Sequence, residues 1–426
     1  MNAPHKSRKA AYVSSACANR NAEAGVFADH HLTMVMLTYL FPPSFSGGTR
    51  QALELAKGLQ RQGINSIFLG ANLRRALPHE QMDGFCIHRF TTSKGPRLQY
   101  LIYALKVCRF LCLRRRSYDL VLLHSTRPFT FLVLALLKLL GKRVLISLTL
   151  IGNDDPRALR HKSFLWRIEG RMLAQFDRII CKSSALESIC AEAKLPAAKL
   201  ATIPNGIDQR KFRPARSWEE KQRLRQEFGI SPQAFVLAFT GRLSTRKGCD
   251  LLFDAWDHLS AHIPNGLLLL LGPYGGSPPF TSESGPFLEQ LQRALAHQHE
   301  RRLCFTGEVD HARLARYLRL SDCFVFPSQR EGLPNSVIEA MGSGLPVICS
   351  EIPGVTTDLI DHGKNGLILR TRAAQDLAAL ILQLYSDHRL RRKMGAQAAQ
   401  KSRTRFSMEA IARRHAMLYR ELLKWN

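Results

Sequence analysis

The chain has 426 residues, 45% hydrophobic and 22% charged, with 28 glycines and 20 prolines. That composition excludes a disordered or fibrous protein and, at roughly 150 residues per domain, calls for two large domains or three small ones. Its 61 Lys and Arg outnumber 34 Asp and Glu for a formal charge of +27, which favours polyanionic company: nucleic acid, anionic lipid headgroups or phosphorylated substrates.

The first 30 residues carry Lys6, Arg8, Lys9 and Arg20 but no apolar stretch that would make a signal-peptide core, and are expected to form a flexible segment. From His31 an apolar run, MVMLTYLF, leads into PPSFSGG and then TRQALELAKGLQRQG, where Ala52, Leu55, Ala56 and Leu59 recur at helical spacing and Gly63 stops the helix. Strand, glycine loop and helix repeat after that. INSIFLG, DLVLLH, RVLISLTL and LATIPNGID read as strands, with LQYLIYALKVCRFLCLRRR and FTFLVLALLKLLG as helices between them, and RMLAQFDRIICKSSALESICAEA as helix, strand, helix. Such βα alternation demands a parallel sheet covered on both faces. The longest apolar run, Pro128 to Leu140, is interrupted by Lys138 and falls short of the roughly 18 to 20 residues of a spanning helix, so no transmembrane segment is expected.

Residues 209–233 are polar and highly charged, and then the alternation restarts with FVLAFTG, GLLLLLG, RLCFTG, CFVFPS, LPVICS and GLILR as strands. The expected fold class is therefore α/β: two Rossmann-like, doubly wound domains, 31–208 and 209–404, facing across a cleft. The closing segment 405–426, with the amphipathic MEAIARRHAMLYRELLK, has no strand after it and must dock on something already built. Ten cysteines show no C-x-x-C pair or metal-ligand rhythm, and Cys181, Cys323 and Cys349 sit inside apolar runs. They read as reduced thiols of a cytoplasmic protein.

Ligand crevices in such sheets lie beyond the carboxyl ends of the strands. The loop after FVLAFTG contains Arg242 and Lys247 on either side of a short turn. Together they can reach one diphosphate, Arg by its fork and Lys as a point charge; two solvated loop charges is the competing reading. The stronger signal is FPSQREGLPNSVIEAMGSGLPVI. Glu331 falls in the loop after a strand, and Glu339 lies eight residues later in a helix predicted to begin at Asn335 or Ser336. Gly332, Leu333, Pro334 and Asn335 lead into a helix N-terminus whose free N–H groups suit a phosphate. A carboxylate accepts from vicinal hydroxyls, so one Glu can hold a ribose and the other a hexose. A polar loop with a helix cap explains each feature alone, but not a basic pair, a cap and two carboxylates at neighbouring strand ends.

With these residues in hand, the stretch from Phe235 to Leu369 closely resembles the C-terminal half of the family 4 retaining glycosyltransferases, which have the GT-B fold. TGRLSTRKG, LLLLLGPYGG, FTGEV, SDCFVFPSQREGLPNSVIEAMGSGLPVICSEIPG and HGKNGLIL carry the likeness, and EGLPNSVIEA is the family's E-x7-E element. The resemblance implies that Arg242 and Lys247 hold the donor diphosphate, Glu339 the ribose and Glu331 the transferred sugar. It further implies that Gly332 to Ser336 offer backbone N–H groups and that Gly307, Glu308 and Val309 face the base through main-chain atoms. No D-x-D motif occurs, in keeping with metal-independent chemistry: no metal or cofactor is expected, the nucleotide sugar being a co-substrate.

The first half resembles the family less strongly. Gly47 and Gly48 match its glycine loop near the diphosphate, a plain strand-to-helix turn being the alternative. His124, ending DLVLLH, matches a histidine beside the donor sugar, against a buried structural histidine. Where relatives have T-x-H-G, this chain has Thr149-Leu150-Ile151-Gly152, so Asn153, Asp154 and Asp155 are expected to shape the acceptor pocket unless they cap a helix.

From Arg89 to Arg116 every charged residue is basic (Arg89, Lys94, Arg97, Lys106, Arg109, Arg114, Arg115, Arg116), with Leu98, Leu101, Ile102, Leu105 and Leu113 interleaved. That pattern fits a helix lying on an anionic membrane, a solvated basic face being the alternative. The resulting expectation is a retaining glycosyltransferase that moves a sugar from a UDP- or GDP-sugar to a glycan or lipid-linked acceptor at the inner face of the membrane. A nucleotide-sugar epimerase or hydrolase of the same fold is the enzymatic alternative. A nucleic-acid-binding protein would explain the charge but lacks any recognisable module, so no nucleic acid is expected. A nicotinamide dehydrogenase would need a G-x-G-x-x-G after the first strand, which is absent.

Overall fold

The computed structural model describes residues 32–41, 47–73, 76–92, 95, 98–162, 164–274 and 285–424. The expected flexible segment 1–30, Lys94 and Arg97 lie outside the described residues.

The first unit runs β1 (Leu32–Leu37), α1 (Gly47–Gln60), β2 (Ile64–Asn72), β3 (His79–Met82), β4 (Phe85–Thr91), α2 (Leu98–Leu113), β5 (Leu120–His124), α3 (Thr130–Leu139), β6 (Arg143–Ser147), α4 (Pro156–Arg160), α5 (Phe164–Met172), β7 (Arg178–Cys181), α6 (Ser184–Glu192) and β8 (Leu200–Thr202). Its strands form one sheet in the order β3-β4-β2-β1-β5-β6-β7-β8, parallel except for β3 against β4. Alternate residues of each strand enter two apolar layers. Val35, Leu123 and Ile146 pack under α2 and α3, while Met36, Leu122 and Leu145 pack under α1.

The second unit runs α7 (Trp218–Glu227), β9 (Phe235–Thr240), α8 (Cys249–Leu259), β10 (Gly266–Leu271), α9 (Pro286–Ala296), β11 (Leu303–Gly307), α10 (His311–Leu320), β12 (Cys323–Phe326), α11 (Asn335–Gly342), β13 (Val347–Ser350), α12 (Thr356–Leu359), β14 (Gly366–Leu369), α13 (Ala374–Ser386) and α14 (His388–Arg405). Its parallel sheet has the order β11-β10-β9-β12-β13-β14. The charged stretch that reads as a break is in part a docked helix. Arg225 of α7 is fully buried, its guanidinium donating to Asp322 Oδ2 at 2.6 Å and to the Pro232 and Leu320 carbonyls, while Lys221 reaches Asp322 Oδ1 at 2.6 Å. This buried cation is tolerated because each of its three nitrogens finds an acceptor.

The last helix, α15 (Met408–Leu423), returns to the first unit. Met408, Ile411, Ala412, Ala416 and Tyr419 join the apolar layer under α1, and Gly58 permits the approach, since a Cβ there would lie 2.7 Å from that of Ala412. The two crossings between units are bonded side by side: Ile207 N–H donates to the Phe406 carbonyl and Met408 N–H to that of Ile207, both at 2.9 Å.

One member of the basic stretch is placed differently from the membrane-facing expectation. Arg89 is only 4% exposed, paired with Glu80 at 2.6 Å and bonded to the Leu77 carbonyl, so it pins β4 to β3 instead of facing a membrane. Arg109, Arg114, Arg115 and Arg116 are exposed, as are Leu98, Leu105 and Leu113 on α2.

Candidate active site

The loop between β9 and α8 turns through a short helix, Thr245–Lys247, capped by the Ser244 hydroxyl. Gly248 follows with φ +74°, and a Cβ there would stand 2.0 Å from the Pro327 carbonyl oxygen, so only glycine lets this loop press against the end of β12. That contact delivers the cations to the carboxylate. Lys247 Nζ donates to Glu331 Oε1 at 2.7 Å, joined there by Ser328 Oγ at 2.7 Å and Arg246 Nη1 at 3.2 Å. Glu331 Oε2 has no partner among the described residues. Glu339, buried on α11, is held by one oxygen likewise: His311 Nε2 lies 2.8 Å from its Oε1.

Between the two carboxylates the chain enters α11 with Pro334 as its N-cap and no side-chain cap bond, leaving first-turn N–H groups available. Gly47, the first residue of α1, stands opposite: a Cβ on it would lie 3.6 Å from Asn335 Nδ2. Two helix N-termini, one from each unit, thus aim their positive ends at the same space, a ready arrangement for an anion. Asn335 is steadied across the gap by Asn205, 2.8 Å away.

This space is a cleft of about 660 Å³ between the carboxyl ends of the two sheets, within the roughly 300–1,000 Å³ of small-molecule sites. Arg242, Lys247, Glu308, Val309, Glu331, Leu333, Pro334, Asn335, Ser336 and Glu339 line it from the second unit, and Gly47, Gly48, His124 and Asn153 from the first. Two expected members sit just behind the wall. Gly307 ends β11 with φ +67°, turning Glu308 inward. Gly332 is pressed against the other unit, where a Cβ would meet the Thr149 carbonyl oxygen at 2.0 Å.

The acceptor assignment of the acidic pair does not survive. Asp154 and Asp155 are fully buried: Asp154 accepts from Thr149 N and Oγ1 and from Leu150 N, and Asp155 accepts from Gly152 N and caps α4 through Ala158 N at 2.9 Å. Their oxygens are spent on folding the loop that replaces T-x-H-G, and of the three only Asn153 reaches the cleft. His124 keeps a buried Nε2 with no partner among the described residues, and burial reinforced by Lys182 pushes its pKa down to about 3, so the ring is neutral at physiological pH.

Two family models match in tandem, Glycosyltransferase Family 4 over residues 45–211 and Glycosyl transferases group 1 over residues 220–401. The chain belongs to the family 4 glycosyltransferases. It is 26% identical over 407 residues to an uncharacterised glycosyltransferase of Methanocaldococcus jannaschii, covering 91% of this chain and 98% of that one. It is 24% identical to the N-acetyl-alpha-D-glucosaminyl L-malate synthase of Bacillus anthracis, covering 90% and 96%. Sucrose-phosphate synthase of Thermosynechococcus elongatus superposes with a TM-score of 0.76 at 21% identity, covering 93% of this glycosyltransferase and all of that chain. HepE of Anabaena, solved with UDP and glucose, gives 0.72 at 20%, covering 91% and 99%. The architecture is GT-B.

Two residues at the glycosyltransferase cleft escape the sequence reading. Arg246 stands beside Lys247 in the loop already singled out and differs from it only in lacking a diphosphate match. His311 gives no local signal, because its pairing with Glu339 spans 28 positions and joins the first residue of α10 to α11.

Proposed function

We propose that the protein transfers a sugar from a UDP- or GDP-sugar to a hydroxyl acceptor with retention of anomeric configuration and without a metal ion. The observation that carries this reading is the meeting of Arg242, Lys247, Glu331 and Glu339 with two helix N-termini around one inter-unit cleft. Arg242, Lys247 and the N-terminus of α11 hold the diphosphate and stabilise its charge as the glycosidic bond breaks, the work a metal would otherwise do. Glu339 receives the ribose hydroxyls, and Glu331 a hydroxyl of the transferred sugar, each through the Oε2 that its protein partners leave open. Gly307, Glu308 and Val309 face the base. Neutral His124 bonds a sugar hydroxyl. Among the described residues the carboxylates that line the cleft, Glu308, Glu331 and Glu339, are all assigned to the donor, so the acceptor attacks on the side the diphosphate leaves, and a β-phosphate oxygen takes its proton. That HepE was solved with UDP and with UDP-glucose supports a nucleoside diphosphate sugar as donor.

The acceptor is a lipid-linked or cell-surface glycan precursor, met at the cytoplasmic leaflet through the exposed leucines and arginines of α2 and its C-terminal flank. Among the described residues no helix is long and apolar enough to cross a membrane. The deciding experiment screens UDP- and GDP-sugars for stabilisation against thermal unfolding, then follows the product of the best donor by NMR. An α-linked donor yielding a β-linked product, or free epimerised sugar without any acceptor, would refute the proposal.

A further inference from the structure

Four neighbouring strands of the first sheet, β1, β5, β6 and β7, end in or are followed by a polar side chain on one face: Thr38, His124, Ser147 and Lys182. The residues two positions earlier, Met36, Leu122, Leu145 and Ile180, all enter the layer under α1 and α15, so alternation turns the polar four toward those helices as well. From α15 His415, only 1% exposed, closes over them. Thr38, His124, Lys182 and His415 line the floor of the cleft.

These groups are unsatisfied. The hydroxyls of Thr38 and Ser147 and the Nε2 atoms of His124 and His415 are buried without a partner among the described residues. Lys182 is 7% exposed, and no described carboxylate pairs with it. Each buried polar atom left unpaired costs about 1–3 kcal/mol, and a buried ammonium without a counter-ion is rarer still. Burial pulls the Lys182 amine down to about 8, and His415 is pushed well below the ordinary imidazole value by burial and then by Lys182 and His124. Hydroxyls, imidazoles and an ammonium converge where no described carboxylate pairs with any of them. A cation is disfavoured there; a group with several acceptor oxygens satisfies them all.

We propose that Thr38, Ser147, Lys182 and His415 bind an oxyanion, phosphate or carboxylate, carried by the acceptor, with His124 between this anion and the donor sugar. The word acceptor rests on the transfer reading above; the anion site itself does not. The site is built from the first unit and α15 alone, facing the cations proposed for the donor, so acceptor and diphosphate have separate anchors.

The test follows thermal unfolding of the full chain in inorganic phosphate against chloride at equal ionic strength. Phosphate should still raise the midpoint of the double variant R242A/K247A, whose donor cations are gone, and should lose that effect when Lys182→Met is added. Undiminished stabilisation after that change overturns the site. Should K182M fail to fold, His415→Asn serves instead, with an expected loss of phosphate affinity of about fivefold or more. With a nucleotide sugar present, phosphate should compete with the acceptor, and selectivity for a phosphorylated or carboxylated acceptor over its neutral counterpart should fall about 10- to 100-fold in K182M. Phosphate that stabilises without competing is a resident free ion and refutes assignment to the acceptor. Phosphate bound through Lys182 in a chain that transfers no sugar upholds the site and sinks the transfer reading, so the two failures are distinguishable.

Discussion

His311 Nε2 and Glu339 Oε1 lie 2.8 Å apart, and the His311 ring packs edge-to-face with Phe212, centroids 4.8 Å apart. An ionised carboxylate only accepts, so this bond selects the imidazole tautomer with its proton on Nε2. The histidine thereby fixes one oxygen of Glu339, and Phe212, just beyond the crossing from the first unit, fixes the histidine.

Removing that brace should loosen the ribose contact without deleting it. For His311→Ala we expect nucleotide-sugar affinity to fall about tenfold by calorimetric titration, and His311→Gln, which retains a donor, to recover much of it. Unchanged affinity in H311A would mean that Glu339 needs no brace.

Arg242→Ala and Lys247→Ala should each lower turnover about 10²- to 10³-fold, the scale seen when one preorganised charge stabiliser is lost. Arg242 lines the open cleft, so its loss should move the unfolding free energy by less than about 1 kcal/mol, whereas Lys247, bonded at 2.7 Å to buried Glu331, should also cost about 1–3 kcal/mol of stability. Single-turnover rates and urea melts separate the two effects, and a pair of variants with near-normal turnover would remove these residues from leaving-group stabilisation.

Glu169 offers a pH signature in the first unit. It is buried beneath the start of α3, accepting from Phe131 N at 3.2 Å, and burial lifts its pKa from 4.5 to about 8 against the opposing pull of backbone N–H groups at Phe131, Thr130 and Phe129. A folded-state value above the unfolded one means the protonated form is favoured in the fold. Its contribution is full below the unfolded pKa, about 4.3, and is lost as pH rises through the folded value. Stability should decline from about pH 5 to about pH 8 partly on this account, by on the order of a few kcal/mol, and Glu169→Gln should flatten the decline. Parallel melting curves for both proteins across that range would count against the assignment.

If α2 lies on a membrane, anionic vesicles should retain the protein at low salt and release it at high salt, with about 1 kcal/mol for each basic side chain near the surface. Replacing Arg114, Arg115 and Arg116 with Glu should abolish retention; Arg89, buried against Glu80, should not be needed beyond folding. Equal recovery on neutral and anionic vesicles would dispose of the idea.

Much of this was legible in one dimension because parallel strands buried on both faces are continuous apolar runs, and FVLAFT or GLLLLL can hardly be anything else. The E-x7-E carboxylates were legible for a related reason: a loop and the helix it enters are neighbours in the chain. What stayed hidden depends on distant packing. β3 is only four residues long and reads HEQM, mostly polar letters, its pairing with β4 resting on Arg89 and Glu80. Asp154 and Asp155 are the local exception: their oxygens bond Thr149, Leu150, Gly152 and Ala158, all close in the chain, which is the helix-capping alternative their position offered. Lys182 and His415 are 233 positions apart and meet only through the return of α15.

That return has a consequence for biogenesis. Met408, Ile411, Ala412, Ala416 and Tyr419 complete an apolar layer whose other members precede the entire second unit, so a ribosome must make some 200 intervening residues before the earlier layer can close. The first unit emerges with one flank of its sheet uncovered, a surface for holdase chaperones, while the second can mature at once. A nascent chain stalled before Met408 should therefore display a protease-sensitive first half joined to a resistant second half, inverting the usual N-terminal-first order of multidomain folding.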